Sequence, residues 1–212
     1  WSPNRPHSLT TLPTHSCTYS SAFSPHSPSI ISSVSSDSHL RIFDLRSPSS
    51  ASNHLVALIP IHGLSSSGIR QNMPAVAPSE CLTHDWNKYR STVIATAGVD
   101  QFIRTFDIKA PNSGPLTVLR GHQYAVRKLA WSPHLSDILI SASYDMSVKA
   151  WSDAGAGEIG SMTAHSEFVT GVDWCLFGAE GWCASTAWDE RVLVWDVKNI
   201  IPPQHGRRFT AR

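Results

Sequence analysis

Short apolar runs, cut every few positions by turn-forming residues, predict strands along most of this chain. The clearest unit lies between residues 125 and 151. Ala125-Val126-Arg127-Lys128-Leu129-Ala130-Trp131 reads as a strand and Ser132-Pro133-His134 as a turn. Ile138-Leu139-Ile140-Ser141-Ala142-Ser143 is a continuous apolar-to-small run, the pattern of a strand buried on both faces. Asp145 follows at a tight turn, and Val148-Lys149-Ala150-Trp151 alternates on the way out. Pro25, Pro28 and Pro133 stand after the first strand of a unit, where no ladder N–H is needed.

The unit recurs. An Asp stands six residues before an aromatic at four places: Asp37 to Phe43, Asp100 to Phe106, Asp145 to Trp151 and Asp189 to Trp195. A His precedes each Asp. His15, His122 and His165 stand 22, 23 and 24 residues ahead, whereas His62 stands 38 before Asp100. A further aromatic ends the first strand each time, as Phe23, Trp86, Trp131 and Trp174. Self-similarity at this period predicts a string of four-stranded modules.

These divide as 13–54, 55–115, 116–158 and 159–203, with 1–12 as the outer strand of a preceding, truncated module and 204–212 as a polar tail. The long second interval absorbs a loop insertion near 65–78, rich in Ser, Gly and Pro. Trp1 falls where the closing Trp of an earlier repeat belongs, and Ser8-Leu9-Thr10-Thr11-Leu12 is expected to be that repeat's outer strand. After Trp195-Asp196 only Ile200-Ile201-Pro202-Pro203 precedes the tail, so the last module lacks a convincing outer strand.

A His in the loop entering each unit, an Asp at its second turn and Trp-Asp or a relative closing it resemble the WD repeat. The closing pairs are Phe43-Asp44, Phe106-Asp107, Trp151-Ser152 and Trp195-Asp196, so the third departs at Ser152. The resemblance implies an all-β fold, a WD40 β-propeller with about four blades present of the seven usual in the family, the N-terminal blades missing. It also implies an Asp–His–hydroxyl–Trp hydrogen-bond chain in each blade. His15, Asp37, His62, Asp100, His122, Asp145, His165 and Asp189 are then structural residues.

Composition removes several other readings. With 17 basic against 16 acidic residues there is no electrostatic case for nucleic acid. The most basic stretch, Gly206-Arg207-Arg208, is too short to form a patch. Cys17, Cys81, Cys175 and Cys183 match no zinc spacing and are read as free thiols; the eleven His show no metal pattern, so neither metal nor cofactor is expected. The longest apolar run, Leu55 to Ile61, contains Pro60 and falls far short of the ~20 residues of a membrane helix. Gly155 to Gly160 satisfies G-x-G-x-x-G but leads into Ser161-Met162-Thr163 with no helix signal, so a hairpin turn is expected. No catalytic residue is assigned: a His/Asp pair present in every repeat is structural, and no G-x-S-x-G elbow exists to make a hydrolase.

Five residues are candidates for binding. Tyr144 and Trp188 immediately precede a turn Asp, while Tyr124 and Glu167 each stand two residues after a repeat His. All four should lie at one rim. Two stretches, Leu119 to Pro133 continuing to Ser141–Trp151 and His165 to Asp173 with Ala187–Glu190, together with Asp85-Trp86-Asn87-Lys88-Tyr89 and Ala97-Gly98-Val99-Asp100, resemble the family of peroxisomal receptors for the type 2 targeting signal. The likeness covers nearly all of residues 80–203 and adds Glu190 to the candidates.

What the resemblance implies is a cytosolic import receptor that cycles to the peroxisomal matrix. Its partners would be cargo enzymes bearing an N-terminal amphipathic helix, a co-receptor and docking proteins, with no membrane insertion. A basic residue and apolar residues on one face of that helix call for an acidic groove with apolar pockets. The alternative is a general WD adaptor in a multiprotein complex, such as a histone- or ubiquitin-ligase-associated propeller.

Overall fold

The computed structural model describes residues 8, 10–47, 53–62, 78–155, 157–177 and 180–201. They form four antiparallel sheets, each laid down in chain order. The first holds β1 (Thr18–Ser24), β2 (Ser27–Ser35), β3 (His39–Asp44) and β4 (Leu55–Pro60). The second holds β5 (Cys81–Trp86), β6 (Val93–Gly98), β7 (Ile103–Asp107) and β8 (Thr117–Leu119). The third holds β9 (Val126–Trp131), β10 (Ile138–Ser143), β11 (Val148–Ser152) and β12 (Gly157–Met162). The fourth has three strands, β13 (Val169–Trp174), β14 (Trp182–Ala187) and β15 (Val192–Asp196), and a one-turn 3-10 helix, Val197–Asn199, follows it. The all-β expectation holds, and among the described residues the last sheet has three strands.

The sheet boundaries differ from the sequence divisions. Leu55–Pro60, Thr117–Leu119 and Gly157–Met162 each pair backward onto the closing strand before them. The divisions at 54/55 and 115/116 cut an outer strand from its sheet, and that at 158/159 splits one. The cause is that the repeat's most visible marker, the His, lies just beyond the outer strand, while ladder hydrogen bonds tie that strand to the preceding sheet. Thr10, Thr11 and Leu12 form no strand, since no described closing strand lies before them to pair with. Expectations for Trp1, Leu9, the insertion residues 65–77, Ala156, Pro202, Pro203 and the tail 204–212 fall outside the described residues.

The sheets stack face to face, with β1 against β5, β5 against β9 and β9 against β13. Three apolar cores result, one per junction. Val34, Leu40, Ile42 and Ile59 meet Trp86, Ile94 and Phe106 at the first. Val93, Ala95, Ile103 and Leu119 meet Leu129, Trp131, Leu139 and Trp151 at the second. Ile138, Ile140, Val148 and Met162 meet Val172, Trp174 and Cys183 at the third. In each case a sheet offers its closing-aromatic face to the sheet before it. The two middle sheets are covered on both sides, which is why every residue of β6 and β10 is buried and why neither strand alternates.

Gly155 and Gly157 have φ of 102° and 66° between the paired strands β11 and β12, and Gly157 to Gly160 lies in β12 rather than opening a helix. All four cysteines are free thiols; burial pushes the Cys81 thiol up to about 12.

Candidate functional site

The four Asp turns share one backbone shape. In each, the residue after the Asp is a non-glycine in the left-handed region: Ser38 (φ 63°), Gln101 (72°), Met146 (65°) and Glu190 (65°). Such a turn needs its carboxylate to organise it. In the third sheet Asp145 accepts from His122 Nδ1 (2.7 Å), Gln123 N (3.0 Å), Ser147 N (3.1 Å) and Ser147 Oγ (2.6 Å). The polar chain runs inward from there. His122 Nε2 lies 2.6 Å from Ser141 Oγ, which accepts from Trp151 Nε1 at 2.7 Å.

With the imidazole neutral, chemistry fixes every proton in that chain. The indole N–H can only donate and the carboxylate can only accept, so the Ser141 hydroxyl donates to Nε2 and Nδ1–H donates to Asp145. The fourth sheet repeats it: Asp189 with His165 Nδ1 at 2.8 Å, His165 Nε2 with Ser185 Oγ at 2.9 Å, and Trp195 Nε1 with Ser185 Oγ at 3.2 Å. Burial raises the affinity of both carboxylates for a proton. The hydrogen bonds from His122 and Ser147 to Asp145, and from His165 to Asp189, outweigh that and hold both acids below the usual carboxylate range.

The first two sheets differ. Their closing residues are Phe43 and Phe106, which have no N–H, and the hydroxyls at the Ser141 position, Ser33 and Thr96, have no hydrogen-bond partner. Arginine four residues beyond the Asp takes over: Arg41 donates to both oxygens of Asp37, and Arg104 donates to Asp100. His62 still reaches Asp100, through Nε2 at 2.9 Å, leaving its Nδ1 without a partner. His15 does not fit its expected role. It is exposed, sits at φ 56° and makes no hydrogen bond to Asp37, whose oxygens are occupied by Arg41 and the His39 N–H. Between these two sheets lies a different polar contact: Ser32 Oγ accepts from Trp86 Nε1 (2.8 Å) and lies 2.7 Å from His84 Nε2.

The candidate binding residues occupy the rim built by these turns in the third and fourth sheets. The Tyr144 N–H bonds Ala125 O and the Trp188 N–H bonds Phe168 O, so the backbone fixes where the rings begin. Tyr144, Phe168 and Trp188 form one cluster across the junction of the two sheets. The ring centroids lie 5.0 Å apart for Tyr144–Phe168, 5.2 Å for Phe168–Trp188 and 6.3 Å for Tyr144–Trp188. Trp188 remains 63% exposed even so, and Tyr124 62%. Glu167 and Glu190 are exposed at the same rim, Glu190 at the left-handed position of its turn.

The structure therefore joins Tyr144 and Trp188, and leaves Tyr124, Glu167 and Glu190 outside the ring cluster. Phe168, the ring between the two, was not singled out from the sequence. Its signal was its place three residues after His165, where the third unit has Ala125. Among the described residues no group of His, Cys, Asp and Glu side chains could hold a metal ion.

The family described as WD domain, G-beta repeat, matches residues 6–44, 113–152 and 157–196, more than half of the chain. The chain belongs to the WD-repeat family. All three matches end at a closing strand, and the second and third open on or before an outer strand, in step with the offset between repeat and sheet. The unmatched second module is the one with the insertion and with Phe106 at its close. The chain is 36% identical over 214 aligned residues to the peroxisomal targeting signal 2 receptor of Saccharomyces cerevisiae, covering 85% of this chain and 52% of that protein. The receptors of Komagataella phaffii (37% identity; 87% and 50%) and Schizosaccharomyces pombe (31%; 92% and 57%) are similar to it as well. The chain thus spans about half the length of these curated relatives.

Proposed function

We propose that this WD-repeat protein acts in peroxisomal import as part of a receptor for the type 2 targeting signal, binding rather than catalysing. The observation that carries the reading is the Tyr144–Phe168–Trp188 cluster, two half-buried rings supporting an exposed Trp188, in a chain similar to receptors of that name. An amphipathic helix needs rigid apolar anchors for one face, and aromatic rings supply area at low entropic cost. Glu167 and Glu190 would face the helix's basic residue, and Tyr124 would extend the apolar surface. The function implies a cytosolic location with cycling to the peroxisome, and partners comprising cargo, a co-receptor and docking proteins. No cofactor is required.

A peptide carrying the type 2 signal, fluorescently labelled, is expected to bind, and its variant with the basic residue reversed to Glu to bind at least tenfold more weakly. Trp188→Ala should weaken the first peptide by a factor of ten or more, as removal of a central aromatic anchor does. Equal binding of both peptides would favour the general WD adaptor instead.

A further inference from the structure

The Tyr144–Phe168–Trp188 cluster is divided between two sheets. Tyr144 stands at the Asp turn of the third, while Phe168 and Trp188 belong to the fourth. Its shape is therefore set by how those two sheets meet, and the far ends of their inner strands show what holds them. There Trp174 Nε1 donates to Ala130 O at 2.9 Å, and His134 Nε2 donates back to Cys175 O at 3.0 Å. A carbonyl can only accept, so Nε2 carries the proton. Each sheet thus gives one side-chain hydrogen bond to the backbone of the other.

The imidazole is aimed by its own turn. The buried Ser132 hydroxyl accepts from the N–H groups of His134 and Leu135, each at 3.1 Å, which closes Ser132-Pro133-His134 on itself and projects the ring towards the next sheet. The same tripeptide recurs in the first sheet. There His26 N bonds Ser24 Oγ at 3.2 Å, and His26 Nε2 lies 2.9 Å from Asn87 O of the second sheet. The junction of the second and third sheets is clasped by other residues: Asn87 Nδ2 donates to Ser136 O and Tyr89 Oη to Pro133 O, both at 2.7 Å. Each junction is thus tied by a side chain that reaches the backbone of the neighbouring loop. At the third junction the ring cluster lies at the opposite end from the tie.

We infer that His134 is a positioning residue for the binding surface: its clasp fixes the angle between the third and fourth sheets, and with it the place of Tyr144 against Phe168 and Trp188, without touching the bound helix. The inference rests on the receptor reading above. Strands β9 and β13 are six residues long, which puts the clasp about 20 Å from the rings. Packed sheets transmit strain over such a length, so a splay at one end displaces Tyr144 from its partners at the other. The apolar core between the sheets resists the splay. Loss of the clasp should therefore loosen the surface and leave the chain folded.

The test sets His134→Ala against His26→Ala, which removes the same kind of clasp from the first junction. At a temperature where both are folded, the labelled type 2 signal peptide should bind His134→Ala about threefold to tenfold more weakly than the parent, and His26→Ala within about twofold of it. His134→Gln keeps an N–H donor near the Nε2 position and should restore binding. His134→Asn, too short to reach Cys175 O, should behave as the alanine variant and replaces it if that one does not fold. Parent affinity in His134→Ala would overturn the inference, as would an equal loss in His26→Ala or a failure of glutamine to rescue. A fluorine NMR spectrum of fluorotryptophan-labelled protein needs no peptide. The Trp188 resonance, assigned by its loss in Trp188→Phe, should move in His134→Ala and stay in place in His26→Ala. A parent that does not bind the peptide would remove the receptor reading, and an unmoved Trp188 resonance would separately remove the positioning role.

Discussion

The third and fourth sheets and the first and second hold the same turn by different chemistry. Where the closing residue is Trp, a donor enters the chain from the indole, and Ser, His and Asp pass it outward with every group satisfied. Where the closing residue is Phe, that donor is gone. The hydroxyl loses its partner and an arginine from the neighbouring strand neutralises the Asp. The turn geometry survives the exchange. What the repeat conserves within this chain is a bound carboxylate at the turn, and the route by which it is bound is free to vary.

Removal of that carboxylate should therefore cost most where the chain is complete. Asp145→Ala strands His122, Gln123 N and Ser147 in a site whose Asp side chain is 8% exposed, and should lower stability by about 3 kcal/mol. Asp37→Ala acts on a side chain 32% exposed and leaves the buried Arg41 guanidinium its bond to Ser35 Oγ, so it should cost less, about 1–2 kcal/mol. Urea unfolding of both variants measures the contrast. Equal losses would mean that the His–Ser–Trp chain adds nothing to the turn.

Acid separates the pairs a second way. Burial, with Lys128 and Lys88 nearby, pushes the His84 imidazole down to about 3, so its buried place between the first two sheets keeps it neutral. The unfolded chain takes up that proton near pH 6.5 and the folded one does not. Stability from His84 is thus complete above about pH 6.5 and declines as pH falls from there towards 3. The depressed Asp145 works in a lower window: its contribution is intact above the unfolded carboxylate range, near 4, and is lost only as pH falls below that. Melting temperature should begin to drop between about pH 6.5 and 5, and His84→Gln should flatten that segment while Asp145→Asn flattens the one below 4. A parent curve level down to pH 4.5 would show that His84 is not held neutral.

Much of this was legible in advance because the markers are periodic. The six-residue interval placed all four Asp turns and their closing aromatics, and the His of the second, third and fourth units lie where the spacing put them. His15 misled because spacing cannot show that Arg41, two residue pairs along the hairpin and on the same face, reaches the carboxylate first. The arginines at 41 and 104 do recur four residues after their Asp, but a pattern held by two repeats of four is visible only once the Phe residues are seen to remove a donor. Phe168 was hidden for another reason. Its neighbours Tyr144 and Trp188 are distant in sequence and meet it only across the junction of two sheets.

The finest distinction is between hydroxyls at one repeat position. Ser141 accepts from Trp151 and donates to His122, so Ser141→Ala leaves two buried polar groups without partners and should cost about 1–3 kcal/mol. Thr96, its counterpart in the second sheet, is fully buried with its hydroxyl unpaired beside Phe106. Thr96→Val keeps the shape and removes a polar atom that already lacks a bond, so the change should lie within about 0.5 kcal/mol of neutral or stabilise. Trp151→Phe in the same series should convert the third sheet to the second sheet's type. After it, Ser141→Ala should cost far less than in the parent, because the indole that needed the hydroxyl is gone. A Thr96→Val loss as large as that of Ser141→Ala would mean that Phe106 sheets satisfy the hydroxyl after all, and the two classes of sheet would be one.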